Sequence, residues 1–377
     1  MKSEKGEQAD HLPSSFNSQQ SSKSEHQQDE RQRLSRRTLI KGATVLGGSL
    51  AAVSGLAFAT QDPVSHAASS ITHLQPAAGG ILREYWIQAD SFYHNMVPTG
   101  TDGMMGMHFQ PYQTSFWAIG YRAFTPGWGK PLAGNDDIGS NTGIPGPILR
   151  GSVGDTIRVH FRNNDLHYKF AHSMHPHGVQ YTPANDGGWF AYDPRPGTAI
   201  EVGQSYTYDW NVRPNSVGTW VYHDHSLPAG KQMIMEFGAE LGLFGMLVLT
   251  DGSTPRIDKE FFTFLHDLYQ DDVPVLPMDF DCFNGHSFVG NTPVYTAQVG
   301  DHVRWHIGAL GKEFHAFHVH GHRWLDATGR SVDVTLLGPS TAIYLDVVMD
   351  NPGKWLYHCH VTDHMMGGMT GVYVVTP

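Results

Sequence analysis

Cysteine is nearly absent from this chain. Only Cys282 and Cys359 occur in 377 residues, too few for the disulfide framework of a small secreted scaffold. If Cys359 binds metal, Cys282 has no partner, so no disulfide is expected. Cys282 then reads as a small buried apolar residue. Charge is scarce as well, at 16% of residues, with a formal net charge of −11. Residues 61–377 carry 17 Lys/Arg against 30 Asp/Glu, a net of −13. Such an acidic body argues against nucleic acid as a partner and suits cationic substrates or metal ions. No long segment of 3.6-residue period appears, so helices are not the framework.

What is plentiful points elsewhere. The 42 Gly and 22 Pro suggest many turns joining short strands, as in an all-β protein. The 24 histidines cluster. Residues 1–34 are polar and poor in apolar groups, so they cannot bury enough surface to fold. Ser35-Arg36-Arg37-Thr38-Leu39-Ile40-Lys41 then precedes a small apolar run from Gly42 to Ala59. Paired arginines before such a run look like a twin-arginine export signal, with Ala57-Phe58-Ala59 or Ser65-His66-Ala67 as cleavage site. A periplasmic, extracellular or cell-surface location is expected. Residues 1–70 are read as this leader.

The remainder is one unit written twice. Gly154–His160 recurs as Gly300–His306, and His175-Pro176-His177-Gly178 as His318-Val319-His320-Gly321. Gly218–His225 recurs as Gly353–His360, and Gly245–Leu249 as Gly371–Val375. The four elements keep their order, so two homologous domains are expected, 71–252 and 253–377, meeting near Asp251–Pro255. Thr156–Phe161 and Val303–Ile307 alternate in period 2. Tyr206–Trp210, Thr341–Val348 and Val372–Val375 are β-branched and aromatic. Turn signals separate them, among them Asn163-Asn164-Asp165, Pro194–Gly197 and Asp350–Gly353. The expected fold is all-β, a tandem pair of Greek-key barrels or sandwiches.

Along a strand, residues i and i+2 share a face. Four His-x-His pairs, His175/His177, His223/His225, His318/His320 and His358/His360, would therefore each aim two imidazoles one way. Eight converging imidazoles are costly as bare protein, and metal ions would resolve that cost. Imidazole suits copper, zinc, iron and nickel, but the last pair narrows the choice. Cys359 lies between His358 and His360 and faces the opposite way. His364 and Met369 follow it, and His315 stands three residues before His318. Two His, one Cys and a weak axial Met form the ligand set of a blue copper electron-transfer site.

These motifs, His-x-His-Gly, His-x-His, His-x-x-His-x-His and His-Cys-His-x-x-x-His-x-x-x-x-Met, resemble the four copper motifs of the multicopper oxidases. With two units over residues 80–377, the chain is similar to the two-domain, laccase-like branch, which implies a cupredoxin fold in each unit. The resemblance implies four coppers per chain. Type 1 copper would be held by His315, Cys359, His364 and Met369. Type 2 copper would take His175 and His318, and the type 3 pair His177, His223, His225, His320, His358 and His360. Asp224 stands where the second unit has Cys359, so the first unit should hold no type 1 copper. The resemblance also implies a homotrimer whose trinuclear clusters lie at subunit interfaces.

Reducing O₂ to water consumes protons, so donors are expected beside the cluster. By the same resemblance Asp186 and Tyr181 fill that role, whereas Asp224 reads as structural. Met104, Met105 and Met107, Met233 and Met235, and Met365 and Met366 are apolar packing or cuprous ligands. Met365 and Met366, next to His364, would shape the surface where electrons enter. His167 and His172 match no motif and receive no ligand role. The function expected is oxidation of phenols or aromatic amines at type 1 copper, coupled to O₂ reduction. Oxidation of Cu(I), Fe(II) or Mn(II) is the alternative. Copper nitrite reductase fits less well, because its type 1 copper lies in the first domain and its second lacks His-Cys-His. A non-enzymatic copper or electron carrier leaves the eight paired histidines unexplained.

Overall fold

Strand segments alternate sharply between buried and open side chains. In Thr156–Asn164, Ile157, Val159 and Phe161 are fully buried while Arg158, His160 and Arg162 reach outward. That is the pattern of a sheet with one face on a core. The computed structural model describes residues 73–377 apart from 136–138, 191–194, 228–236 and 254. The leader, Met233 and Met235 lie outside the described residues.

The first half forms two four-stranded sheets. One runs Ser115–Phe124, Leu82–Asn95, Thr156–Asn164, Ser205–Asn211. The other runs Leu149–Ser152, Phe244–Thr250, Gly218–His223, His175–Pro176. The second half repeats this order. Its back sheet runs Phe280–Phe283, Lys259–Leu268, His302–Leu310, Ala342–Val348. Its front sheet runs Val294–Gln298, Thr370–Thr376, Gly353–Cys359, His315–Val319, with Val334–Leu337 at the edge. Parallel neighbours such as Leu82–Asn95 with Thr156–Asn164, and Lys259–Leu268 with His302–Leu310, arise because the chain crosses between sheets. Each half is a β-sandwich of cupredoxin type, and helices are few and short.

Aromatic side chains fill both sandwiches. Trp210, Tyr208, Tyr222 and Tyr121 anchor the first. In the second, Trp305 meets Phe261, Tyr295, Phe317, Tyr357 and Tyr373 edge to face, with centroids 5.1–5.4 Å apart. Each such ring contributes about 1.5–3 kcal/mol by leaving water. The first core continues across the seam between halves, where Phe244 packs on Phe264 at 4.8 Å and Leu310 and Cys282 join it. Both cysteines are buried and free.

The seam also carries a polar chain. Thr219 meets His306 Nδ1 at 2.6 Å, and His306 Nε2 lies 3.0 Å from Glu260. Glu260 accepts both Arg150 Nη atoms, at 2.8 and 3.2 Å. Thr219 lies on the strand that ends at His223, so this chain ties a histidine-bearing strand to the other half.

Candidate metal centres

The strands Gly353–Cys359 and His315–Val319 are neighbours, with Phe317 opposite Cys359 and His318 opposite His358. The short helix Thr362–Met366 then folds His364 back over the strand end. Cys359 N–H donates to Met369 O at 3.1 Å, and Met369 N–H to His364 O at 3.0 Å. Cys359 Sγ thus lies 3.9 Å from His315 Nδ1 and 3.6 Å from His364 Nδ1. Cys359, His315 and Met369 are fully buried and His364 nearly so. Burial by itself would push the thiol up. Hydrogen bonds from His315, His364 and the Ala316 N–H outweigh it and hold Cys359 at about 6. Burial opposes the His315 cation, yet Asp267 and Cys359 raise His315 to about 9. Asp267 Oδ1 approaches His315 Nε2 to 3.4 Å without hydrogen-bond alignment, an electrostatic contact rather than a bond. A thiolate flanked by two imidazoles that give up their protons on binding is a donor set for a soft metal.

Two histidine quartets occupy matching places. In the first, the rings of His175, His177, His223 and His225 lie 5.1–5.6 Å apart. In the second, the rings of His318, His320, His358 and His360 lie 5.1–5.4 Å apart. Nε2 of His177 faces Nε2 of His223 at 3.1 Å, and Nε2 of His320 faces that of His358 at 3.0 Å. In three of the rings backbone carbonyls hold Nδ1: Asp186 O that of His175 at 2.7 Å, Asp333 O that of His318 at 2.6 Å, Cys359 O that of His358 at 2.9 Å. In those rings Nδ1 is therefore the protonated nitrogen, and Nε2 carries the free lone pair. Burial, then neighbouring rings, pushes His177 down to about 4 and His223 to about 3. His320 and His358 shift down for the same reasons. Crowded neutral imidazoles with facing lone pairs are a donor set built for cations, and copper fits both it and the thiolate pocket.

The pairs are not plain strand pairs, as their spacing had suggested. His175, His223, His318 and His358 sit in ladders, whereas His177, His225, His320 and His360 lie just past the strand ends. Backbone bonds still hold them extended: His177 N–H to Val221 O at 2.9 Å, His320 N–H to Leu356 O at 2.9 Å, His360 N–H to Ala316 O at 2.7 Å. Gly178 and Gly321 then turn away with φ of +76° and +70°, and Trp220 and Trp355 pack where a Cβ would stand. Among the described residues, no ring of one quartet meets a ring of the other.

Asp186 lies beside the first quartet, its Oδ1 3.0 Å from His175 Nδ1 and its Oδ2 2.9 Å from Arg195 Nη1. The Tyr181 ring is 6.1 Å from that of His175, and burial followed by the Asp186 carboxylate raises its hydroxyl pKa. Met104, Met105, Met107 and Met366 are exposed. His167 stacks on Trp117.

Two residues escaped the motif reading. Asp267, behind His315, belongs to no short pattern. His172 was legible, since His172-x-x-His175-x-His177 copies His315-x-x-His318-x-His320. It is fully buried, with Nδ1 2.8 Å from Asp224 and Nε2 3.3 Å from Asp165. Burial disfavours its cation, but the two carboxylates raise it to about 9. Asp224 points away from the quartet, as its place between His223 and His225 requires.

Family models described as multicopper oxidase match residues 128–253 and 265–377. The chain is 31% identical to "Ferroxidase HEPHL1" of Mus musculus over 360 residues, 79% of this chain and 29% of that protein. It is 32% identical to a "Probable nitrite reductase-hydroxylamine oxidoreductase fusion protein" of Kuenenia stuttgartiensis over 263 residues, 67% of this chain and 29% of that protein. The chain thus spans under a third of these relatives. A solved multicopper oxidase superposes with a TM-score of 0.58 at 24% identity, covering 78% of this chain and 89% of the other. A copper nitrite reductase from Nitrosomonas europaea does so with 0.56 at 18%, covering 78% and 94%, a likeness of fold alone. With its thiolate pocket and paired histidine quartets in repeated sandwiches, the chain belongs to the multicopper oxidase family.

Proposed function

We propose that the protein takes single electrons from a small reducing substrate at a type 1 site and delivers them to O₂, forming water. The single observation that carries this is the strand ending His358-Cys359-His360, which serves the thiolate pocket with one side chain and the second quartet with its neighbours. Bound copper would supply one-electron chemistry in the thiolate pocket and oxygen reduction at the quartets. His315, Cys359, His364 and Met369 would hold type 1 copper, and His175 and His318 type 2. His177, His223, His225, His320, His358 and His360 would hold the type 3 pair, for four coppers per chain. Asp186, fixed by Arg195 and touching His175, holds a proton source at the cluster, with Tyr181 beside it.

Each quartet is only half a cluster. The second is partly open to solvent, with His360 exposed, and it meets no ring of the first within the chain. A neighbouring copy that supplies the missing half, in a homotrimer, completes it. The substrates proposed are phenols and aromatic amines. A second reading, oxidation of Fe(II), Cu(I) or Mn(II), is favoured by the ferroxidase relatives and by the carboxylate of Asp281, whose charge acts on His364. Export by the twin-arginine route completes the proposal.

Oxygen uptake by copper-loaded protein against phenols, aromatic amines, Fe(II), Cu(I) and Mn(II) tests the function. The copper content and a blue absorption band are measured alongside. One copper per chain with no uptake on any substrate would refute it.

A further inference from the structure

We propose that the buried triad Asp165–His172–Asp224 replaces the thiolate metal site in the first half, binding no metal itself, and positions the histidines of the first quartet. This rests on reading the quartets as copper ligands.

The repeat supplies the comparison. His172 occupies the place of His315, Ser173 that of Ala316, Asp224 that of Cys359, and His225 that of His360. The bonds correspond. Ala316 N–H points to Cys359 Sγ at 3.4 Å, and Ser173 N–H donates to Asp224 Oδ1 at 2.9 Å. His315 Nδ1 faces the sulfur at 3.9 Å, and His172 Nδ1 faces Asp224 Oδ2 at 2.8 Å. His360 N–H is held by Ala316 O at 2.7 Å, and His225 N–H by Ser173 Oγ at 3.2 Å. A bound copper would be held among these side chains in the second half. Direct hydrogen bonds join the same positions in the other.

The donor geometry excludes a metal here. The two carboxylates approach opposite nitrogens of one ring, so among the described residues no point is shared by three donors. Asp224 has no partner like Met369: counting back from the matched Gly371 and Gly245, the equivalent residue is Leu243, which offers no ligand. The space is also full. A Cβ on Gly238 would stand 2.1 Å from Asp224 Oδ2.

The bonds fix the two strands that carry the quartet. Asp224 Oδ1 also accepts Ser226 N–H at 3.1 Å, and Ser226 Oγ–H donates to Ala171 O at 2.9 Å. Asp165 is held by the N–H groups of His167, Tyr168 and Phe170 at 3.0–3.2 Å. Segment 171–175 and segment 223–226 are therefore clamped at one spacing, and that spacing sets the distances among His175, His177, His223 and His225. Asp224 is a positioning residue; it points away from the quartet.

The test uses full-length, copper-loaded protein and the variants Asp224→Asn, His172→Gln and Ser173→Ala. Copper per chain, the blue band, the type 2 electron paramagnetic resonance signal and the thermal midpoint of the copper-free form are measured. Asp224→Asn and His172→Gln should keep the blue band and lose cluster copper to a chelator roughly tenfold more readily, with an altered type 2 signal. Ser173→Ala, which leaves every charge in place, should show a smaller shift in the same direction and decides the matter if the other two fail to fold. Val159→Ala, fully buried in the same sandwich, should lower the thermal midpoint while cluster copper stays. Unchanged cluster copper and type 2 signal in the triad variants would overturn the proposal, as would equal copper loss in Val159→Ala. A parent protein that retains no cluster copper would instead overturn the copper reading of the quartets, and this inference with it.

Discussion

Glu260→Gln should loosen the seam between the halves, and the structure sets the size of the effect. The carboxylate lies between Arg150 and His306. Burial alone would raise its pKa, but the hydrogen bonds from His306 and Arg150 lower it from 4.5 to about 2. That displacement corresponds to about 3 kcal/mol, and because its side chain is 31% exposed we discount this to about 2 kcal/mol. The folded-state pKa is depressed, so this stability is present above about 4.5 and lost as pH falls through about 2. For roughly 300 residues in the two sandwiches, ~2 kcal/mol is a drop of about 3 °C in Tm. Calorimetry on copper-free protein should show that gap at pH 7 and about half of it at pH 3. Equal midpoints at pH 7, or a gap that does not shrink with acid, would refute the reasoning.

Cys359→Ser should abolish the blue band and substrate oxidation while the quartets keep their copper, read by absorbance and metal analysis; retained oxidation would sink the assigned entry site. Asp186→Asn should slow oxygen reduction by about 10²-fold with type 1 reduction unchanged, resolved by single-turnover kinetics. Co-expressing His177→Ala with His358→Ala should restore oxygen uptake that neither shows alone, because a mixed trimer contains an interface with both wild-type halves. No restoration would favour a cluster built within one chain.

Local order was legible early. The repeated Gly-Asp strands and the strand that ends at Cys359 appear where their spacing put them, because strand pairing follows period 2, whereas each His-x-His pair runs past its strand end. His172 was equally legible, since its offset from His175 copies that of His315 from His318. It went unread because its partners, Asp165 and Asp224, lie 7 and 52 residues away.

By itself, then, the sequence determined the repeat, the donor types and the asymmetry between Cys359 and Asp224, because each is a matter of residue identity at fixed spacing. Tertiary structure decided the rest. Sheet packing placed Asp267 behind His315 and Glu260 across the seam, contacts between segments that no short pattern links. It also decided that, among the described residues, each quartet's rings meet one another and none of the other quartet's.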